Sequence, residues 1–220
     1  MRIYLSSYKL GNRFDILMDM IPPAMRVGLV MNAKDHLDEE ARALKTEAAR
    51  YMLTRNTGAR VKEVDLREYS YKTRNLESTL SKLDALWVHG GDVFVLREAM
   101  ENSGADKTLI RLIRGNELVY AGESAGGCVM GADLRLFGGP ESPEATEYLR
   151  DKQLKMRGLG LIGRAFIPHF RGQAQENTLG ERDYEVQRAV RYCEEMQVGY
   201  TGVRDGEALV ISGEVSRIVG

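Results

Sequence analysis

The chain has 220 residues, 43% of them hydrophobic, and its 31 basic and 32 acidic side chains leave a formal net charge of −1. That length supports one domain with a substantial core, spanning 1–220, and the near-neutral balance supplies no field to gather nucleic acid or an anionic membrane surface. No run approaches the ~18 consecutive apolar residues of a membrane span, and the N-terminal MRIYLSSYKLGNRF lacks a signal-peptide core, so a cytoplasmic protein with neither nucleic-acid nor membrane partners is expected.

In chain order, RIYLS (2–6) reads as a first strand and Leu10–Met20 as a short helix closed by Pro22 and Pro23. RVGLVMNA (26–33) is a continuous apolar run of the kind found in a strand buried on both faces. From His36 to Thr54, Leu37, Ala41, Leu44, Ala48 and Met52 recur at three- and four-residue intervals, which predicts an amphipathic helix. VKEVDLR (61–67), ALWVHG (85–90) and ELVYAG (117–122) supply further strands, with helical patterns over 75–82, 94–114 and 125–132. This alternation predicts an α/β fold of three layers, a mainly parallel sheet with helices on both faces. The segment 133–152, with its glycines, prolines and acidic residues, reads as a long exposed loop or short hairpin. GLIGRAFIPHF (160–170) reads as a strand, Leu179–Glu195 as a helix, and VGYTGV with ALVIS as a closing pair of strands.

One motif stands out against this frame. GESAGG contains GxSxG from Gly122 to Gly126, after a strand and before a helix, which is the setting of a nucleophile elbow. There Ser124 is lifted out of the sheet, and the amide of Ala125, at the start of the following helix, is left to donate to an oxyanion. A serine hydroxyl needs a base within hydrogen-bond reach. His169, in IPHF at the carboxyl end of a strand, is one candidate; His89, before Gly90 and Gly91, is its rival, although its glycines suit a loop of backbone donors better. His36 opens a helix among charged residues and reads as solvated. A third group must fix the histidine tautomer, and spacing does not choose among Asp133, Glu141, Glu144, Glu147 and Asp151. Glu123 has no assignable role.

Cys128 and Cys193 are too few for a disulfide framework and in the wrong pattern for structural zinc. Cys128 falls one turn into the helix after the elbow and reads as core. No GxGxxG, Walker loop or HExxH occurs, so neither a metal nor a cofactor is expected.

Taken together, WVHGGDVFVLREAM (87–100), YAGESAGGCVMG (120–131) and FIPHF (166–170) resemble the peptidase E family, the S51 serine peptidases, and their relatives on the class I glutamine amidotransferase-like fold. The resemblance implies a serine exopeptidase acting on short peptide substrates, dipeptides with N-terminal aspartate above all. It implies Ser124 as nucleophile, His169 as general base, and the amides of Gly91 and Ala125 as oxyanion donors. The family's third triad member is a carboxylate a short way after the serine; that window holds Glu141, with Glu144 just beyond, and Glu141 is the choice. An arginine in the helix after the histidine, here Arg182, is implied to hold the substrate aspartate. Two positions depart from the pattern, His89 where a glycine is frequent and Asp92 where asparagine is frequent. An α/β-hydrolase-type esterase is a second reading, because HGG precedes GxSxG and the order serine, acid, histidine would agree, but the two catalytic candidates are only 45 residues apart. A non-catalytic binding protein on the same fold is a third.

Overall fold

The computed structural model describes residues 1–22, 25–69, 75–171 and 181–220, apart from the side chains of 181 and 182. Seven strands make the main sheet: β1 (Arg2–Ser6), β2 (Arg26–Val30), β3 (Arg60–Glu63), β4 (Ala85–Val88), β5 (Val119–Glu123), β8 (Ala208–Ser212) and β9 (Val215–Val219). Their order is β3-β2-β4-β5-β1-β8-β9, parallel from β3 to β1 and antiparallel over the last two pairings. Two short strands, β6 (Ala165–Ile167) and β7 (Tyr200–Gly202), pair parallel in a separate sheet.

Side chains alternate along each central strand, so the apolar runs divide between two cores. Ile3, Leu5, Leu86, Val88 and Tyr120 face one side, against α4 (Val93–Ser103) and α5 (Ala105–Arg114). Tyr4, Leu29, Trp87, Val119 and Ala121 face the other, against α1 (Phe14–Asp19) and α2 (Glu39–Thr57). The three-layer α/β arrangement expected from the pattern is therefore present. Among the described residues no helix is long and apolar enough to cross a membrane.

Several elements differ from the sequence expectation, each for a local reason. The 94–114 pattern is two helices, because Gly104 adopts φ 72° and ends α4 in a left-handed cap. The 133–152 segment is not a hairpin: Ser142 caps α7 (Pro143–Leu149) by accepting from the Ala145 amide at 3.2 Å, with Pro143 in the first turn. The helix after the elbow, α6, is a single turn, Ala125–Cys128. VGYTGV and ALVIS are not partners: β7 pairs with β6, whereas β8 pairs with β1 and with the unanticipated β9. The described residues also form a short helix, α3 (Leu76–Leu80), and the long α8 (Glu181–Glu195). Residues Ala189 and Cys193 of α8 pack on Ala165 and Ile167 of the small sheet.

Candidate active site

The chain leaves β5 at Glu123 and turns sharply at Ser124, which sits at φ 47°, ψ −114°. For a residue with a Cβ this region costs on the order of 1–3 kcal/mol and persists only where the surroundings dictate it. They do so here from both sides. The Ser124 amide donates to the Ser6 carbonyl of β1 at 3.1 Å, and Gly126 passes so close to β4 that a Cβ on it would lie 2.2 Å from the Val88 carbonyl oxygen. The buried Tyr120 hydroxyl donates to the Gly126 carbonyl at 2.6 Å and holds the turn from beneath.

His169, which follows β6 and Pro168, has φ 58°. Its Nε2 lies 3.4 Å from Ser124 Oγ, and its Nδ1 lies 2.7 Å from Asp205 Oδ1, in the turn between β7 and β8. Because a carboxylate only accepts, Nδ1 carries the proton, and in the neutral ring Nε2 is left as the acceptor facing the serine hydroxyl. The fully buried Ser7, just after β1, ties the arrangement together: its hydroxyl accepts from the His169 amide at 2.7 Å and donates to Asp205 Oδ1 at 2.8 Å.

The carboxylate on the histidine is thus Asp205 and not Glu141. Glu141 lies on the wall of the same cavity, but its loop is drawn toward α4, with the Glu141 amide donating to Asp92 Oδ2 at 2.7 Å. Asp92 explains itself as the N-cap of α4, accepting from the Phe94 and Val95 amides at 2.8 and 2.9 Å. Glu144 is in the first turn of α7. The order along the chain is therefore serine, histidine, acid, which removes the serine–acid–histidine order that favoured an esterase.

Across from His169 stands the loop His89–Gly91, which follows β4. Gly91 has φ 150°, and a Cβ there would come within 2.5 Å of the Ala33 carbonyl oxygen, so only glycine fits. Among the described residues the amides of Gly91 and Ala125 have no hydrogen-bond acceptor, whereas the Gly90 amide points at Glu123 Oε1 over 3.4 Å. Glu123 is buried and lies 2.9 Å from His89 Nδ1. That nitrogen also faces the Gly90 carbonyl at 3.0 Å; with an acceptor on each side it must carry a proton. Burial pushes the Glu123 carboxyl upward, but the His89 hydrogen bond and charge, the Gly90 amide and Lys34 outweigh it, and the net shift is downward. Glu123 therefore clasps the loop to the elbow.

These groups open onto a cavity of about 670 Å³ lined by Ser124, His169, His89, Gly91, Lys34 and Glu141 among others. Cys128 also touches it, but burial raises its thiol well above the ordinary value, which is the behaviour of a core cysteine and not of a nucleophile. Among the described residues no group of three or more His, Cys, Asp or Glu is placed to hold a metal ion. Arg182 begins α8, but its side chain lies outside the described residues. Sequence reasoning did not single out Asp205 or Ser7. The rule that singled out His169, a polar residue just past a strand's carboxyl end, also applies to Asp205 after YTGV, which lies beyond the loop between serine and histidine.

An α/β sheet carrying a strained serine between a strand and a helix, opposed by a histidine held on a carboxylate, is the arrangement of the serine-hydrolase class. The chain belongs to peptidase family S51, whose family model matches residues 40–219. It is 30% identical over 96 residues to an uncharacterized peptidase of Listeria innocua, a match covering 44% of each chain. It is 28% identical to a peptidase E of Streptomyces coelicolor, over 61% of this chain and 51% of that one. A further uncharacterized peptidase, from Listeria monocytogenes, is 27% identical over 51% of this chain and 52% of its own. The matches thus span about half the length of these relatives. Among solved structures, a Listeria monocytogenes protein crystallised as a candidate peptidase E superposes with a TM-score of 0.76 at 19% identity, covering 99% of this chain and 97% of the other. A peptidase from an acI-B1 Actinobacterium gives 0.65 at 18%, over 100% and 87%. At such identities the likeness establishes the fold.

Proposed function

We propose that this protein is a serine peptidase that hydrolyses short peptides through Ser124, His169 and Asp205. The observation that carries the reading is the unbroken series from Ser124 Oγ to His169 Nε2 at 3.4 Å and from His169 Nδ1 to Asp205 at 2.7 Å, at the mouth of a strained elbow. The first of these is at the long end of a hydrogen bond, as is common before substrate tightens such contacts.

In this mechanism the Ser124 oxygen adds to the peptide carbonyl while His169 Nε2 takes its proton. The negative charge that forms on the carbonyl oxygen is met by the unpaired amides of Gly91 and Ala125. Collapse breaks the C–N bond, the imidazolium returns its proton to the leaving amine, and the acyl group remains on the serine. Water, deprotonated by the same imidazole, then releases the acid. Asp205 keeps the proton on Nδ1 throughout and stabilises the transient imidazolium. A cavity of about 670 Å³ suits a small ligand rather than an extended chain, which agrees with the dipeptide preference implied by the family. Within that reading an N-terminal aspartate is the favoured substrate residue, with Arg182 as its partner.

The test is hydrolysis of Asp-Leu, Ala-Leu and p-nitrophenyl acetate by the wild-type protein and by Ser124→Ala. Peptide cleavage that vanishes in Ser124→Ala is the expected result. Equal turnover by the variant sinks the proposal, and turnover of the ester alone moves it to an esterase.

A further inference from the structure

We infer that Lys34, with Lys45 beside it, forms a carboxylate-binding subsite on the cavity wall next to the Gly90–Gly91 loop; this assignment deepens the peptidase reading and rests on it. Both lysines line the same cavity as Ser124 and His169. Lys34 closes a short 3₁₀ turn, Asn32–Lys34, at the carboxyl end of β2, and Lys45 projects from the second turn of α2.

Several other charged groups that line the cavity already have partners, while the half-buried Glu185 of α8 also faces it. Glu123 is engaged by His89 and the Gly90 amide, and the Lys9 ammonium stands 5.0 Å from the Tyr8 ring centre. Glu141 holds a bond of its own to the α4 cap through its amide. Lys34, by contrast, is half-buried, and neither its ammonium group nor that of Lys45 makes a hydrogen bond or ion pair with any described residue. Two unpaired ammonium groups on one cavity wall repel each other, and the more buried one has lost part of its water; an anion between them relieves both costs. Burial first, and the neighbouring Lys45 charge second, hold Lys34 below the ordinary lysine value, with Glu123 and Glu141 opposing.

The mounting of Lys34 is rigid, which a specificity group requires. The Asn32 side chain donates through Nδ2 to Asp35 at 2.7 Å and to Asp65 at 3.0 Å, and its Oδ1 accepts from the Leu66 amide at 3.0 Å. The buried Arg42 of α2 closes the network on Asp35 at 2.8 Å. The same turn presses on the oxyanion loop, since the Asp92 amide donates to the Ala33 carbonyl at 2.9 Å. A substrate carboxylate held here is therefore held in register with the amides proposed to receive the oxyanion. That carboxylate has two sources in a short peptide, an acidic side chain or the free C-terminus.

Calorimetric binding to Ser124→Ala, which measures the intact ligand, distinguishes them with four peptides: Asp-Leu, Asn-Leu and the C-terminal amide of each. The peptide bearing the recognised carboxylate is expected to bind about tenfold more tightly than its neutral counterpart. That preference should fall to near unity when Lys34→Met is added and be retained in part with Lys34→Arg. Lys45→Met, at an exposed position, should fold normally and lose a smaller part. Collapse of the Asp/Asn preference assigns the side chain, and collapse of the acid/amide preference assigns the C-terminus. A preference that survives Lys34→Met, no preference in any protein, or no binding of any peptide overturns the subsite. Hydrolysis of the same four peptides by the wild-type chain reads the peptidase proposal separately: turnover without a Lys34-dependent preference removes the subsite alone, and a Lys34-dependent preference without turnover removes the peptidase alone.

Discussion

Asp205→Asn is the substitution that isolates charge from geometry. Two contacts to the residue, from His169 Nδ1 at 2.7 Å and from the Ser7 hydroxyl at 2.8 Å, go to the same oxygen, Oδ1. A carboxamide oxygen in that place can accept both, so the variant can keep these two hydrogen bonds while it loses the negative charge facing the imidazolium. At a charge separation of about 3 Å the lost attraction is about 1.4 kcal/mol if water screens it fully and about 5.5 kcal/mol at an effective dielectric constant of 20. The Asp205 side chain is 46% exposed and that of His169 is 14% exposed, so the value falls between these limits, near 3 kcal/mol. That corresponds to a loss of about 10² in kcat at ~1.36 kcal/mol per decade. The assay is steady-state hydrolysis of Asp-Leu, with KM expected to change little because the interaction grows only as charge develops. Glu141→Gln, measured alongside, should retain kcat within a few-fold. The reasoning is refuted if Asp205→Asn keeps wild-type kcat, or if Glu141→Gln loses as much as Asp205→Asn.

Ser7→Ala removes the acceptor of the His169 amide, and that contact is worth about 1–3 kcal/mol of stability when left unmade in a buried site. Thermal unfolding should show the loss, and kcat should fall by more than KM rises, whereas a purely structural serine would leave kcat of the folded fraction intact. Glu123→Gln tests the clasp between the elbow and the oxyanion loop through its pH dependence. The folded carboxyl is held below the ordinary glutamate value of 4.5, so its contribution to stability is fully present above pH 4.5 and is lost as pH falls through the lower folded value. The gap in melting temperature between wild type and Glu123→Gln should be constant above that pH and narrow below it; a gap that widens toward acid would contradict the assigned role.

The architecture was legible because period and composition agree at each step. The apolar runs 26–33, 85–90 and 117–122 are strands sandwiched between two cores, and the helical spacing through Ala41–Met52 lies on α2. What pattern could not convey were features set by single residues or by partners distant in the chain. One glycine, Gly104, splits a continuous helical pattern. The β6–β7 pairing joins segments about 35 residues apart, and nothing in either three-residue strand announces its neighbour. The elbow and the histidine were legible for the same reason as the strands, since a polar residue just past an apolar run lies at a sheet's carboxyl edge. The acid was not, because a carboxylate in a turn such as VRDGE is identical in sequence to a solvated one. Only tertiary structure brings Asp205 to the histidine, after β7 has paired with β6.

That dependence makes Ser7 more than a local contact. Ser124 stands at the carboxyl end of β5, the central strand of the main sheet, whereas His169 and Asp205 are delivered by the small sheet, one from the end of each of its strands. Proton transfer between Oγ and Nε2 depends on the register of the two sheets, since a misplacement of about 1 Å can cost about 10² in rate. Ser7 extends β1 of the main sheet, and its single hydroxyl grips the small sheet at both points, through the His169 amide and the Asp205 carboxylate. The Ser124 amide is bonded to the preceding residue of the same strand, Ser6. Nucleophile, base and acid are therefore all referred to two consecutive residues at the end of β1. A change there should disturb the relation among the three before it disturbs either sheet, and this is why Ser7→Ala is expected to act on kcat more than on substrate binding.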